Sequence, residues 1–166
     1  MVNAIKATLK AWPIITLVTL LVSLLTEATA KVFGIELPEQ NSLDIVRSSF
    51  GLNVEFFKIL FLALVVAPIG EELFFRGLLW RLLLWKKSES LVLGITFGVI
   101  SAVLFSAAHY MRVGAELDNA FVALFFFGLA QCYLYRRNKT ILSPILNHFL
   151  FNFTNLVLLL LVMWFE

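Results

Sequence analysis

Glu71 and Glu72 stand side by side in the stretch Ala67-Pro68-Ile69-Gly70-Glu71-Glu72-Leu73-Phe74-Phe75-Arg76-Gly77, a run that is otherwise almost wholly apolar. In lipid each charge without a partner costs roughly 2.5–3.5 kcal/mol on insertion scales, so three charged groups there need a purpose. On a helix Glu72 and Arg76 form an i,i+4 pair with the acid on the N-terminal side, the favourable orientation. Glu71 lies about 100° round the helix from Glu72. Arg76 can therefore neutralise Glu72 and leave Glu71 to act as a general base. A structural ion cluster that holds helices together is the competing reading of the same three residues.

The chain has two histidines, His109 and His148, and both lie in hydrophobic segments. Phe105 precedes His109 by one helical turn, and Asn152 follows His148 by one turn on the same helix face. Polar groups in lipid must find one another or line a wet cavity. The Glu pair, the two histidines and Asn152 are therefore expected to share one polar site built from three segments. A neutral histidine can orient a water and pass its proton on. An asparagine amide is an effective oxyanion donor, and loss of one such donor costs about 2.7–4 kcal/mol.

Metal chemistry is the alternative for the same side chains. Glu71, His109 and His148 would make a two-His, one-Glu set of the kind that binds catalytic zinc. No His-Glu-x-x-His element is present and Asn152 is a poor zinc ligand, so a metal-free site is expected, with zinc as the other option. Intramembrane Glu and His also build proton relays, which makes a small transporter a further reading. Phe105 is expected to pack and to wall the cavity beside His109. Asn147 and Asn155 are expected to tie helices together, and Gly77 to permit close helix approach.

The composition says what kind of scaffold must carry these groups. Of 166 residues, 61% are hydrophobic and 14% charged, and the mean hydropathy is +0.93. A soluble domain has about 25% charged residues, and so large an apolar surplus cannot be hidden inside so small a globule. The chain is therefore an all-α polytopic transmembrane bundle. A net charge of +2 with no basic tract excludes nucleic acid as a partner, and one cysteine, Cys132, excludes a disulfide framework.

About five spanning segments follow. The first is Ala11 to Thr26, after Lys6 and Lys10. Its sequel Ala28-Thr29-Ala30 has the pattern of a signal-peptide cleavage site, but the multi-spanning remainder favours a retained helix. Lys31 to Leu52 reads as a polar loop with a short helical turn. Residues 1–52 thus form an N-terminal helix and loop, and 53–166 the core. The second segment, Asn53 to Trp85, would be about 50 Å long as one helix, against a hydrocarbon core of about 30 Å. A break near Pro68, with a new helix from Gly70 or Glu71, is expected. Trp80, Arg81, Trp85, Lys86 and Lys87 would anchor its far end at the interface.

Leu91 to Tyr110 forms the third segment, rich in small residues (Gly94, Gly98, Ala102, Ser106) that allow close packing in lipid. The fourth is Ala120 to Tyr135, with Tyr133 and Tyr135 as an interface belt. The fifth is Ile141 to Phe165. Basic residues cluster at Lys6/Lys10, Lys86/Lys87 and Arg136/Arg137/Lys139. Five crossings put all three clusters on one side, which makes the N-terminus cytoplasmic in a cell-membrane protein. Straight spans of this kind would leave His109 and His148 roughly 15 Å apart in depth.

Taken in order, Glu71-Glu72-x-x-x-Arg76, Phe105-x-x-x-His109 and His148-x-x-x-Asn152 resemble the three-motif signature of the CPBP family, the CAAX-protease and bacteriocin-processing (ABI) intramembrane proteases. Each motif alone is weak. The ordered trio on apolar segments, spanning residues 71 to 152, is specific. The resemblance implies an intramembrane endopeptidase acting on membrane-associated peptides or protein ends. Glu71 and His109 would activate water, His148 and Asn152 would donate to the oxyanion, and Glu72, Arg76 and Phe105 would support them. Membrane lipid and a peptide substrate are the implied partners. A non-catalytic bacteriocin-immunity or scaffold protein of the same family is the alternative.

Overall fold

The computed structural model describes residues 1–37, 46–51, 53–84, 90–113 and 120–165. Among these there is no strand, and five long helical stretches account for most of the described residues. Helix α1 is Val2–Val32, α3 is Leu91–Val113, α4 is Ala120–Asn138 and α5 is Leu142–Phe165. Between α1 and α3, helix α2 runs from Val54 to Leu84 as alternating α and π pieces. By length and composition, Val2–Val32, Leu91–His109 and Leu142–Phe165 are each able to cross a membrane. The all-helical membrane bundle expected from composition is the fold observed.

Helix α1 is longer at both ends than the expected Ala11–Thr26 and carries Ala28-Thr29-Ala30 in its last turns. It packs against α4 and α5. Its buried Thr8 and Thr19 return their hydroxyl protons to the carbonyls of Ala4 and Ile15, at 2.9 and 2.8 Å, which satisfies those two hydroxyls in an apolar setting. Met1, Ile5 and Thr8 line a small cavity with Thr140, Leu142 and Ser143. The basic N-terminal turns and the Arg136/Arg137/Lys139 turn thus lie at one end of the bundle. Trp85, Lys86 and Lys87, like residues 38–45 of the expected polar loop, lie outside the described residues.

The irregularity expected at Pro68 is present in another form. The chain does not stop and restart. Instead, helical dihedrals continue through Leu62, Ala67 and Leu73, and the helix widens into a π-turn at Leu62–Val66, just ahead of Pro68. A second π-turn, Leu73–Leu79, follows the Glu pair. An inserted π-turn lets a proline sit inside a helix without a chain break, because the carbonyls near its ring no longer need its missing N–H in α register.

Helices α3 and α4 approach closely at Gly128. A Cβ placed on Gly128 would lie 3.0 Å from Cα and 3.1 Å from Cβ of Ala102. Gly77, by contrast, does not mediate a close approach: a Cβ there would meet nothing nearer than 4.0 Å. Helix α4 ends at a turn in which Lys139 takes a left-handed φ of 50°, and α5 returns alongside it. That return brings Pro144, Asn147 and His148 opposite Gln131.

Candidate active site

The Glu pair lies between the two π-turns of α2. Glu72 is fully buried and Glu71 is 18% exposed, as their 100° separation round the helix requires. Nη1 of Arg76 lies 3.2 Å from both carboxylate oxygens of Glu72. Nη2 donates to the carbonyl of Gly128 at 2.8 Å. The guanidinium also sits 4.9 Å from the ring centroid of Phe105. A buried ion pair survives only when its remaining hydrogen-bonding positions are satisfied. Here the carbonyl of α4 and the face of Phe105 supply part of that need.

Both imidazoles reach the same carboxylate. Nε2 of His109 lies 3.7 Å and Nε2 of His148 3.9 Å from Oε2 of Glu71. The depth gap of roughly 15 Å that straight spans imply is therefore closed. Nδ1 of His109 lies 2.9 Å from the carbonyl of Phe105, one turn back on its own helix. A carbonyl can only accept, so Nδ1 carries the proton and Nε2 presents its lone pair in the neutral ring. Nδ1 of His148 lies 3.0 Å from Oε1 of Glu72, a carboxylate acceptor, which fixes the same tautomer.

Phe105 packs among the groups that surround the two glutamates, Arg76, His109 and His148. It is fully buried, with its centroid 4.7 Å from His109, 5.9 Å from His148 and 5.2 Å from Phe75. With Phe75, Phe127 and Phe151 it forms the apolar floor of the site. Asn152 stands one turn beyond His148, and its Nδ2 donates to the carbonyl of Ala63 on α2 at 2.9 Å. Glu71, Glu72, Arg76, Phe105, His109, His148 and Asn152 thus all occupy one region where α2, α3 and α5 meet. Among the described residues no group of three His, Cys, Asp or Glu is arranged to hold a metal ion.

Two contributors are not evident from the sequence. Gln131 of α4 is fully buried and donates Nε2 to the carbonyl of Pro144 at 3.1 Å and to Oε1 of Glu72 at 3.4 Å. Its Oε1 accepts from Nδ2 of Asn147 at 3.1 Å, so Asn147 does tie helices together, as expected. Gly128 provides both the close contact with α3 and the carbonyl that Arg76 needs. A glutamine in the middle of an apolar helix is itself a signal, because an unpaired buried amide costs several kcal/mol in hydrocarbon. The aromatic anchors differ from expectation as well. Trp80 is buried against Cys132, and its ring meets Tyr135 at 5.9 Å, so both face inward.

No curated protein and no solved structure matches the chain. The profile of the type II CAAX prenyl endopeptidase Rce1-like family matches residues 53–154, well over half of the sequence, and that region holds all seven residues gathered at the site. With an all-helical membrane bundle around them, the chain belongs to the Rce1-like family of type II CAAX prenyl endopeptidases.

Proposed function

We propose that the protein is an intramembrane endopeptidase in which Glu71 and His109 activate water and His148 and Asn152 stabilise the oxyanion. The observation that carries this reading is the approach of two Nε2 atoms, from separate helices, to one carboxylate oxygen of Glu71 at 3.7 and 3.9 Å. A water held by that oxygen is within reach of either ring. Glu71 takes one proton as the water oxygen attacks the scissile carbonyl carbon. The carbonyl oxygen becomes an oxyanion, for which Asn152 has one amide proton not given to Ala63 and His148 offers Nε2 when doubly protonated. Collapse of the tetrahedral carbon breaks the C–N bond, and the proton held by Glu71 passes to the leaving amine.

The reading is metal-free, and Glu71, His109 and His148 are the donors a zinc ion would use instead. Activity that survives dialysis against a chelator supports the metal-free form. Loss that added zinc restores assigns the metal. Substrates are membrane-associated peptides or protein ends, and a prenylated CAAX tail is one candidate on the strength of the family. The N-terminus is proposed to be cytoplasmic, supported by the gathering of the N-terminal turns and the Arg136/Arg137/Lys139 turn at one end of the bundle.

The test uses wild type, Glu71→Ala and His109→Ala purified in detergent and offered a fluorescence-quenched peptide library that includes farnesylated CAAX peptides. Wild type cleaves, and each variant loses at least about 100-fold. Equal cleavage by all three rejects the mechanism, and no cleavage by wild type favours a non-catalytic family member.

A further inference from the structure

The π-turn ahead of the Glu pair leaves one backbone carbonyl without a donor from its own helix. In an α-helix the carbonyl of Ala63 would accept from the N–H of Ala67. Here the N–H of Ala67 goes one residue further back, to Leu62. The next residue that could serve Ala63, in π register, is Pro68, which has no N–H. The carbonyl is filled instead from another helix, by Nδ2 of Asn152 at 2.9 Å. A backbone carbonyl in an apolar bundle must find a donor, so the proline on α2 and the asparagine on α5 form one hydrogen-bonding unit.

We infer that Pro68 is a positioning residue for the reaction: by leaving the Ala63 carbonyl open, it fixes the amide of Asn152 beside His148. The inference rests on the proposed role of Asn152 as an oxyanion donor. The amide has two protons. One is spent on Ala63, which sets the plane of the group, and the other is then aimed by the same bond. An N–H restored at position 68 would let α2 satisfy its own carbonyl. The Asn152 amide would then turn without penalty, and an oxyanion donor free to turn loses much of its effect.

The experiment is a double-mutant cycle on the whole protein in detergent, with Pro68→Ala, Asn152→Ala and the pair, read by thermal unfolding and by hydrolysis of the library peptide that wild type cleaves fastest. Asn152→Ala is expected to lower the unfolding temperature in the wild-type background, where it strands the carbonyl, and to leave it nearly unchanged in the Pro68→Ala background. Pro68→Ala is expected to unfold no earlier than wild type while kcat falls about tenfold and KM stays constant, a split that a merely structural role would not give. Asn152→Ala is expected to lower kcat about 100-fold, and the pair to be little worse than Asn152→Ala alone.

Additive unfolding shifts overturn the inference, as does a Pro68→Ala enzyme with wild-type kcat. If neither Pro68→Ala nor Pro68→Ser folds, Pro68 is structural and the inference fails. Coupled unfolding shifts with full activity in Asn152→Ala would instead reject the oxyanion role of Asn152, leaving the hydrogen-bonded unit intact.

Discussion

His148 on α5 directs Nδ1 at Oε1 of Glu72 on α2 across 3.0 Å, so the second glutamate of the pair sets the orientation of a histidine 76 residues away. Glu72 is in turn held by Arg76 and Gln131. In the proposed mechanism its part is to fix the neighbour, whose Nε2 lies 3.9 Å from Oε2 of Glu71. Such a support is what keeps a site within the narrow geometric tolerance that catalysis requires.

The tautomers follow directly. With only two histidines in the chain, protein labelled with 15N-histidine gives two imidazole spin systems. Both neutral rings should carry hydrogen on Nδ1 and a bare Nε2. Nitrogen chemical shifts in nanodiscs check this, and a ring protonated on Nε2 alone would contradict the hydrogen bond assigned to it.

Arg76 and Glu72 should be strongly coupled in stability. Both are fully buried, so removing one partner strands the other charge, at a cost of about 3–5 kcal/mol. Arg76→Met and Glu72→Gln should each unfold well below wild type in detergent. The double variant should recover much of the loss, because it leaves no uncompensated charge.

Gly128→Ala should force α3 and α4 apart. The added methyl meets backbone of Ala102 at 3.0 Å, and Nη2 of Arg76 at 3.5 Å. A loss of about 1–3 kcal/mol is expected from overpacking, with activity reduced as Arg76 loses its carbonyl. Gly77→Ala, whose methyl meets nothing nearer than 4.0 Å, serves as the control and should unfold like wild type.

Gln131→Leu keeps the volume but removes three hydrogen bonds that connect α4 to Glu72, Pro144 and Asn147. Stranding the Asn147 amide should cost about 1–3 kcal/mol. Library cleavage should also slow, with KM unchanged, because the loss acts through Glu72 and His148 and not on substrate. A variant with unchanged kcat would limit Gln131 to a structural role.

Composition and periodicity were enough to establish the membrane bundle, the i,i+4 pairing of Glu72 with Arg76 and the placement of His148 and Asn152 on one face of α5. They were enough because those relations are fixed inside single helices by the 3.6-residue repeat. The same reasoning placed Phe105 beside His109, and their rings do meet at 4.7 Å.

Contacts between helices were decided only by the tertiary structure. Which histidine nitrogen faces Glu71, what Asn152 donates to, and the entry of Gln131 and Gly128 into the site all depend on how far each helix is shifted and rotated against its neighbours. The two π-turns of α2 set part of that shift, and only the first has a sequence signal, Pro68. Gly77 and Gly128 look alike in the sequence, yet only Gly128 has a backbone pressed against it, since close approach is a property of two helices together and not of either alone.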